Sequence, residues 1–275
     1  MIRDRRPVRI MPCPAHDPGT PLRRSATTCQ RACRLYSAIR QIAHEQSAMK
    51  PSIHLGTATI PDTNKQMLLY QHDVKFSITI PGRGELMNSR VNGSEKALAE
   101  LTCERIRGVA KPRLLIGGLG MGFTLASALE ASGPDAEVVV AELVPEVVEW
   151  NRELIGEPAG HPLSDPRTTV YIGDVRDLLC KPGSGFDAIM LDVDNGPEAL
   201  IRRENDWIYS AAGLRTIARS LRPGGVLSVW SAGPDRLFVK RMKQAGFQVD
   251  ERVVRPHRAG KGARHFIWFA TPAES

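Results

Sequence analysis

The sequence predicts an α/β protein whose body is a doubly wound, mostly parallel sheet ending in an antiparallel hairpin. Three observations predict it. From Arg113 onward, short β-branched apolar runs alternate five times with helix-forming segments, the pattern of a parallel sheet covered on both faces. The first run, Arg113 to Gly118, breaks into glycines before its helix begins. The last two strand-like runs, FQVDERVVRP and RHFIWFATPA, are joined by HRAGKGA with no room for a helix, so they are expected to pair antiparallel.

The elements follow in chain order. Met1–Lys50 carries ten Lys/Arg against three Asp/Glu, and the other 225 residues carry 27 of each. The net charge of +7 therefore belongs to the leading segment, and the neutral body is not expected to bind nucleic acid. Residues 1–48 lack the apolar run of a secretory signal. They read as an over-called start with the true one at Met49, as a disordered basic arm, or as a transit-type peptide, so the fold is read from residue 49 onward.

Residues 49–92 alternate in polarity, with turn signals at Pro61-Asp62 and Pro81-Gly82, and predict a small antiparallel β-unit. Residues 93–275 form the main domain, opening with a helix SEKALAELTCERIRG capped by Ser94. The strand–helix pairs then run RLLIGG/FTLASALEA, EVVVAEL/PEVVEWNRELI, TTVYIGD/VRDLL, FDAIMLD/DWIYSAAGLRTIARSL and GGVLSVWSA/DRLFVKRMKQAG. Pro145 suits a first helical turn, Pro223-Gly224-Gly225 is expected to stop one helix, and Gly246 to end another. Three of the five cysteines lie in residues 1–48, so neither a disulfide framework nor a metal site is expected. No apolar run reaches the roughly 18 residues of a membrane span, and a reducing cytoplasm is the expected compartment.

The glycine turn carries the chemistry. Gly117, Gly118, Gly120 and Gly122 let a strand turn sharply into a helix and allow a nucleotide-sized ligand to approach the main chain. The spacing departs from the dinucleotide fingerprint G-x-G-x-x-G, which needs glycine where Phe123 stands. Glu142 ends the second strand twenty-two residues after Gly120, where an acid can accept from ribose hydroxyls. Asp174 ends the third strand and either accepts from an adenine amino group or caps the helix starting at Val175, whose side chain is placed to line the ring. Asp192 and Asp194 end the fourth strand beside an Asn195-Gly196-Pro197 turn that can bring both to the sheet's carboxyl edge. There either acid can hold an amine or act as general base.

With these residues in place, the chain resembles the spermidine synthase-like branch of the S-adenosylmethionine-dependent methyltransferase superfamily from about Thr59 to Pro272. The resemblance rests on the β-unit, LLIGGLGMG, AEL, YIGDVRDLL, FDAIMLD, LRPGGVLSVWS and the reversed hairpin. It implies a Rossmann-like methyltransferase fold with a seven-stranded sheet, the adenosyl sulfonium over the glycine turn, ribose at Glu142 and adenine at Asp174. True aminopropyltransferases carry G-G-G-D-G-G, and Gly120 stands where that Asp should be. Of their D-E-x-x-Y-H-E helix, Ser94 to Glu100 keeps Glu95 and Glu100 but has Leu98 and Ala99 in place of Tyr and His. Of D-S-S-D-P, Asp192 matches the first acid and Asp194 falls one position short of the second.

These departures favour methyl transfer from S-adenosylmethionine to a small-molecule nucleophile, because Gly120 leaves backbone donors for a carboxylate and no anion for a lone amine. Asp192 and Asp194 are the catalytic candidates. Gly117, Gly118, Gly120, Gly122, Glu142, Asp174 and Val175 are the cofactor candidates. Aminopropyl transfer from decarboxylated S-adenosylmethionine is the alternative, and a non-catalytic cofactor-binding or scaffolding protein the second. A small-molecule substrate is the expected partner, with no membrane and with homodimerisation open. His54, His72 and His161 read as surface or loop histidines, Trp150, Trp230 and Trp268 as packing residues, and Trp207 and Tyr209 as either substrate contacts or core.

Overall fold

A computed structural model describes residues 52–181, 183, 185–192, 206–255 and 263–273. The polar alternation of the leading β-unit produces four strands, β1 (Ile53–Thr59), β2 (Gln66–His72), β3 (Lys75–Ile80) and β4 (Gly84–Asn88), in an antiparallel meander. The turns fall at Pro61-Asp62 and Pro81-Gly82, with Asp62 and Gly82 at φ of 59° and 76°. Helix α1 (Gly93–Arg105) then leads to the main sheet.

The body runs β5 (Arg113–Gly117), α2 (Phe123–Ala131), β6 (Glu137–Glu142), α3 (Pro145–Glu153), β7 (Thr168–Ile172), α4 (Val175–Leu179) and β8 (Phe186–Leu191). After these come α5 (Asp206–Tyr209), α6 (Ala211–Ser220), β9 (Leu221–Ser231), α7 (Arg236–Gln244), β10 (Phe247–Val254) and β11 (His265–Pro272). The sheet order is β10-β11-β9-β8-β5-β6-β7. Strands β9, β8, β5, β6 and β7 are parallel, and β10 and β11 are antiparallel. The chain moves outward from β5 to β6 and β7, then returns to β8 on the other side. That reversal opens a crevice at the carboxyl ends of β5 and β8, the usual ligand position in such sheets.

Strand periodicity divides the core between two layers. Leu114, Ile116, Val138, Val140, Ala188 and Met190 belong to one buried cluster, and Leu115, Val139, Ala141, Ile189 and Leu191 to the other. Ile60, Leu69 and Ile78 of the β-unit join the first cluster with Leu98 of α1, so this meander shares the body's core. No helix among the described residues is long and apolar enough to cross a membrane.

Three local expectations are corrected. Asn92, not Ser94, occupies the α1 N-cap position, and the Ser94 hydroxyl donates to the Glu95 carboxylate instead. The helix expected from Asp206 to Leu221 breaks at Ser210, whose Oγ donates to Trp207 O and accepts from Gly213 N, capping α6. Pro223-Gly224-Gly225 does not stop that helix: Leu221 already pairs with Phe186, and the next pair is Val226 with Ala188. The Pro-Gly-Gly is a bulge inside β9.

Candidate functional site

A cavity of about 320 Å³ lies at the carboxyl ends of the parallel strands, with Met87 of β4 and Ile78 of β3 among its walls. Chain direction explains which side chains reach it. Helix α1 precedes β5 and runs against it, so its first residues, Ser94 and Glu95, sit at the carboxyl edge. Strand β11 is antiparallel to β9 and pairs Phe266 with Ser231, so His265, its first residue, arrives at the same edge.

The glycine turn is the floor. Gly118 (φ 89°) donates its N–H to Ala141 O at 2.9 Å, and Gly120 lies below Met87, whose Sδ would be 3.2 Å from an added Cβ. Gly117 and Gly122 are not on the cavity wall. Packing accounts for them: a Cβ on Gly117 would meet Leu191 Cδ2 at 2.9 Å, and one on Gly122 would meet Asn151 Oδ1 and Pro162 Cγ at 3.1 Å.

Glu142 is on the wall and only 8% exposed. Its Oε2 accepts from Leu119 N and its Oε1 from Val144 N, each at 2.9 Å, so one carboxylate ties the glycine turn to the β6–α3 turn. Burial pushes this carboxyl above the ordinary range, while the amides of Val144, Leu119, Gly120 and Leu143 pull it back. Asp174 caps α4 through a 2.9 Å bond from Arg176 N and also lines the cavity, as does Val175. The two readings of Asp174 are therefore compatible, because a carboxylate has several acceptor positions.

Asp192, the first residue after β8, takes a 2.8 Å bond from Thr124 Oγ1 at the start of α2, and burial raises its carboxyl to about 6. Asp194 lies outside the described residues. Glu95 is raised further, to about 7, by burial and by the charge of Asp192, against the pull of Ser94 and Lys96. Glu100, the other acid of the α1 motif, is exposed and absent from this cavity.

Glu85, Glu95, Glu142, Asp174 and Asp192 thus share one cavity, and among the described residues no lysine or arginine lines it. Sequence reasoning retained Glu95 without giving it a role and missed Thr124, Ser94, Trp230 and His265. The signal for Ser94 and Glu95 was topological: they open the helix that runs into the first strand of the sheet. Trp207 and Tyr209 are absent from the cavity; Arg176 covers the Trp207 ring at 4.8 Å, and Tyr209 packs edge-on against Phe238 at 5.3 Å. Among the described residues no three His, Cys, Asp or Glu side chains are grouped as metal ligands would be.

No protein-family model matches this chain. The chain is 26% identical over 179 residues to a polyamine aminopropyltransferase of Mycobacterium tuberculosis, a match covering 61% of this chain and 33% of that protein. It is 31% identical over 120 residues to one from Korarchaeum cryptofilum, covering 44% and 35% of the two chains. The chain spans about a third of the length of these curated relatives. Its fold matches that of spermidine synthase from Thermotoga maritima with a TM-score of 0.63 at 15% identity, over 80% of this chain and 74% of the other.

The preference for methyl transfer from S-adenosylmethionine is overturned by these relatives, which are named for aminopropyl transfer. The physical premise behind it also fails. Gly120 does lack a carboxylate, but Glu95 and Asp192 bring two to the same cavity from α1 and β8.

Proposed function

We propose that this chain is an aminopropyltransferase of the spermidine synthase type, moving the aminopropyl group of decarboxylated S-adenosylmethionine to a small amine. The observation that carries this reading is the wall of five carboxylates, with no lysine or arginine lining the cavity among the described residues. A sulfonium ending in a free ammonium, and an acceptor that arrives as an ammonium, are cations that such a wall attracts. The carboxylate of intact S-adenosylmethionine would instead meet like charge.

The residues divide by side of the sheet. Glu142 and Asp174, beyond β5 toward β7, suit the ribose and adenine, with Val175 against the ring. Asp192 and Glu95 lie toward β8 and α1 and suit the two amines. Displacement at carbon needs the acceptor nitrogen, that carbon and the sulfur in line, and it needs the nitrogen unprotonated. Carboxyls held near 6 and 7 are suited to accept that proton near neutral pH. The decarboxylated donor supplies the carbon bound to positively charged sulfur.

The test is mass spectrometry of the protein incubated with decarboxylated S-adenosylmethionine and a panel of di- and polyamines. The reading expects methylthioadenosine and an aminopropylated amine in equal amounts. No product there, with S-adenosylhomocysteine formed from S-adenosylmethionine instead, would overturn it.

A further inference from the structure

Ser94 and His265 line the same cavity as Glu95, and hydrogen bonds join the three in a row. Ser94 Oγ donates to Glu95 Oε2 at 2.9 Å and lies 3.0 Å from Nδ1 of His265. Ser94 is 1% exposed, so protein groups decide where its hydroxyl bonds. A hydroxyl has one hydrogen to give. With that hydrogen on the ionised Glu95 carboxylate, the 3.0 Å contact is a hydrogen bond only if His265 Nδ1–H donates to Ser94 Oγ. Both bonds then point inward, toward Glu95.

The row supports a carboxylate whose surroundings oppose its charge. Burial and the carboxylate of Asp192, which follows β8, both disfavour the Glu95 anion. Glu85 of β4, Glu142 of β6 and Asp174 stand on the same wall. Against them act the Ser94 hydroxyl, the N–H of Glu95 itself and Lys96 of the same helix, together with the place of Glu95 in the first turn of α1. The imidazole behind Ser94 is itself held, because the Trp230 ring meets it edge-on at 4.9 Å and 78°. Both groups in contact with His265 are uncharged. Burial keeps the ring below its ordinary range, so it is neutral at pH 8 and adds no positive charge to the wall.

We propose that His265 and Ser94 are positioning residues for Glu95: their two donated bonds fix the direction of its carboxylate and favour the anion that meets the substrate amine. The proposal rests on the aminopropyl-transfer reading for the identity of that amine. An acid that holds an ammonium, or takes a proton from one, has to be ionised and aimed before the amine arrives. A hydroxyl that is oriented in turn by a third group supplies both conditions. What the row needs from His265 is one N–H at the Nδ1 position. A carboxamide N–H in Asn can stand there, whereas Ala offers no donor.

The first arm needs no turnover. In the ¹⁵N-labelled full chain at pH 8, long-range ¹H–¹⁵N spectra are expected to show His265 as the Nδ1–H tautomer. The Nε2–H tautomer in the wild type would overturn the proposal whatever reaction the protein catalyses. In ¹³C-carboxyl titrations, Ser94→Ala should raise the midpoint of Glu95 by about one pH unit, since a hydrogen bond to the anion is lost. An unmoved midpoint would overturn the proposal as well. The second arm reads kinetics with the decarboxylated donor. A one-unit rise from about 7 cuts the ionised fraction at pH 7 about fivefold, so Ser94→Ala should lower kcat/KM by about that factor at pH 7 and by less than about twofold at pH 9. His265→Ala should move the acid limb in the same direction, and His265→Asn should restore it. The affinity for methylthioadenosine, which lacks the amine, should stay that of the wild type in all three variants. A loss of methylthioadenosine binding equal to the loss of kcat/KM would reduce Ser94 and His265 to structural residues and overturn the proposal. Absence of product from the wild type would overturn the aminopropyl reading, while the tautomer and the carboxyl titration still decide whether the row positions Glu95.

Discussion

Thr124 Oγ1 donates to Asp192 Oδ2 across 2.8 Å, so the first turn of α2 holds the carboxylate that follows β8. The glycine turn and the acid at the end of the fourth parallel strand are therefore one assembly. The hydroxyl favours the ionised carboxylate and opposes the upward push of burial. Thr124→Val removes that support. The acid limb of the pH–rate profile is expected to move to higher pH, and activity at pH 6 to fall more than activity at pH 8. A limb that stays in place would show that Asp192 does not control the rate.

Glu142 supplies acceptors to two turns at once. Glu142→Gln keeps its shape but sets an NH₂ group against one of two amide donors, and a buried donor left unpaired costs about 1–3 kcal/mol. Urea unfolding should show that loss, and calorimetry a weaker affinity for adenosyl ligands.

Gly117 is fixed by contact, since a Cβ there would stand 2.9 Å from Leu191 Cδ2. Gly117→Ala is expected to destabilise the protein by about 1–3 kcal/mol through overpacking. Thermal denaturation should show a lower Tm.

The two raised carboxyls make stability depend on pH with a definite sign. Glu95 moves from 4.5 to about 7 and Asp192 from 3.8 to about 6 on folding. Folded values above unfolded ones mean that the protonated forms favour the native state. Their contribution is complete below about pH 4 and is lost as pH rises through about 6 to 7. Gln imitates the protonated acid, so Glu95→Gln should match the wild type in urea midpoint near pH 4 and exceed it at pH 8. The opposite ordering at pH 8 would show that the Glu95 anion is stabilised in the cavity.

Most of the frame was legible because its signals are local. β-branched runs, the glycine break after Ile116 and the short HRAGKGA connection each imply their element from a few neighbouring residues. Where the reading missed, a competing partner decided the outcome. The Ser94 hydroxyl turned to the Glu95 carboxylate and away from the helix backbone. Leu221 entered β9 before Pro223-Gly224-Gly225 had ended anything, because Phe186 was there to pair with it. Glu142 and Asp174 were found from strand order, since the carboxyl edge of a parallel sheet is predictable. The link between Ser94 and His265 was not. It spans 171 residues and depends on β11 inserting between β10 and β9, which no nearby residue encodes.

The most direct test of the account is the affinity of the protein for decarboxylated S-adenosylmethionine against that for S-adenosylmethionine, measured by titration calorimetry at pH 7.5. A cavity that five carboxylates and no lysine or arginine line among the described residues should bind the decarboxylated form at least about tenfold more tightly, since like-charge contacts are costly. Equal or tighter binding of the carboxylated form would contradict the account.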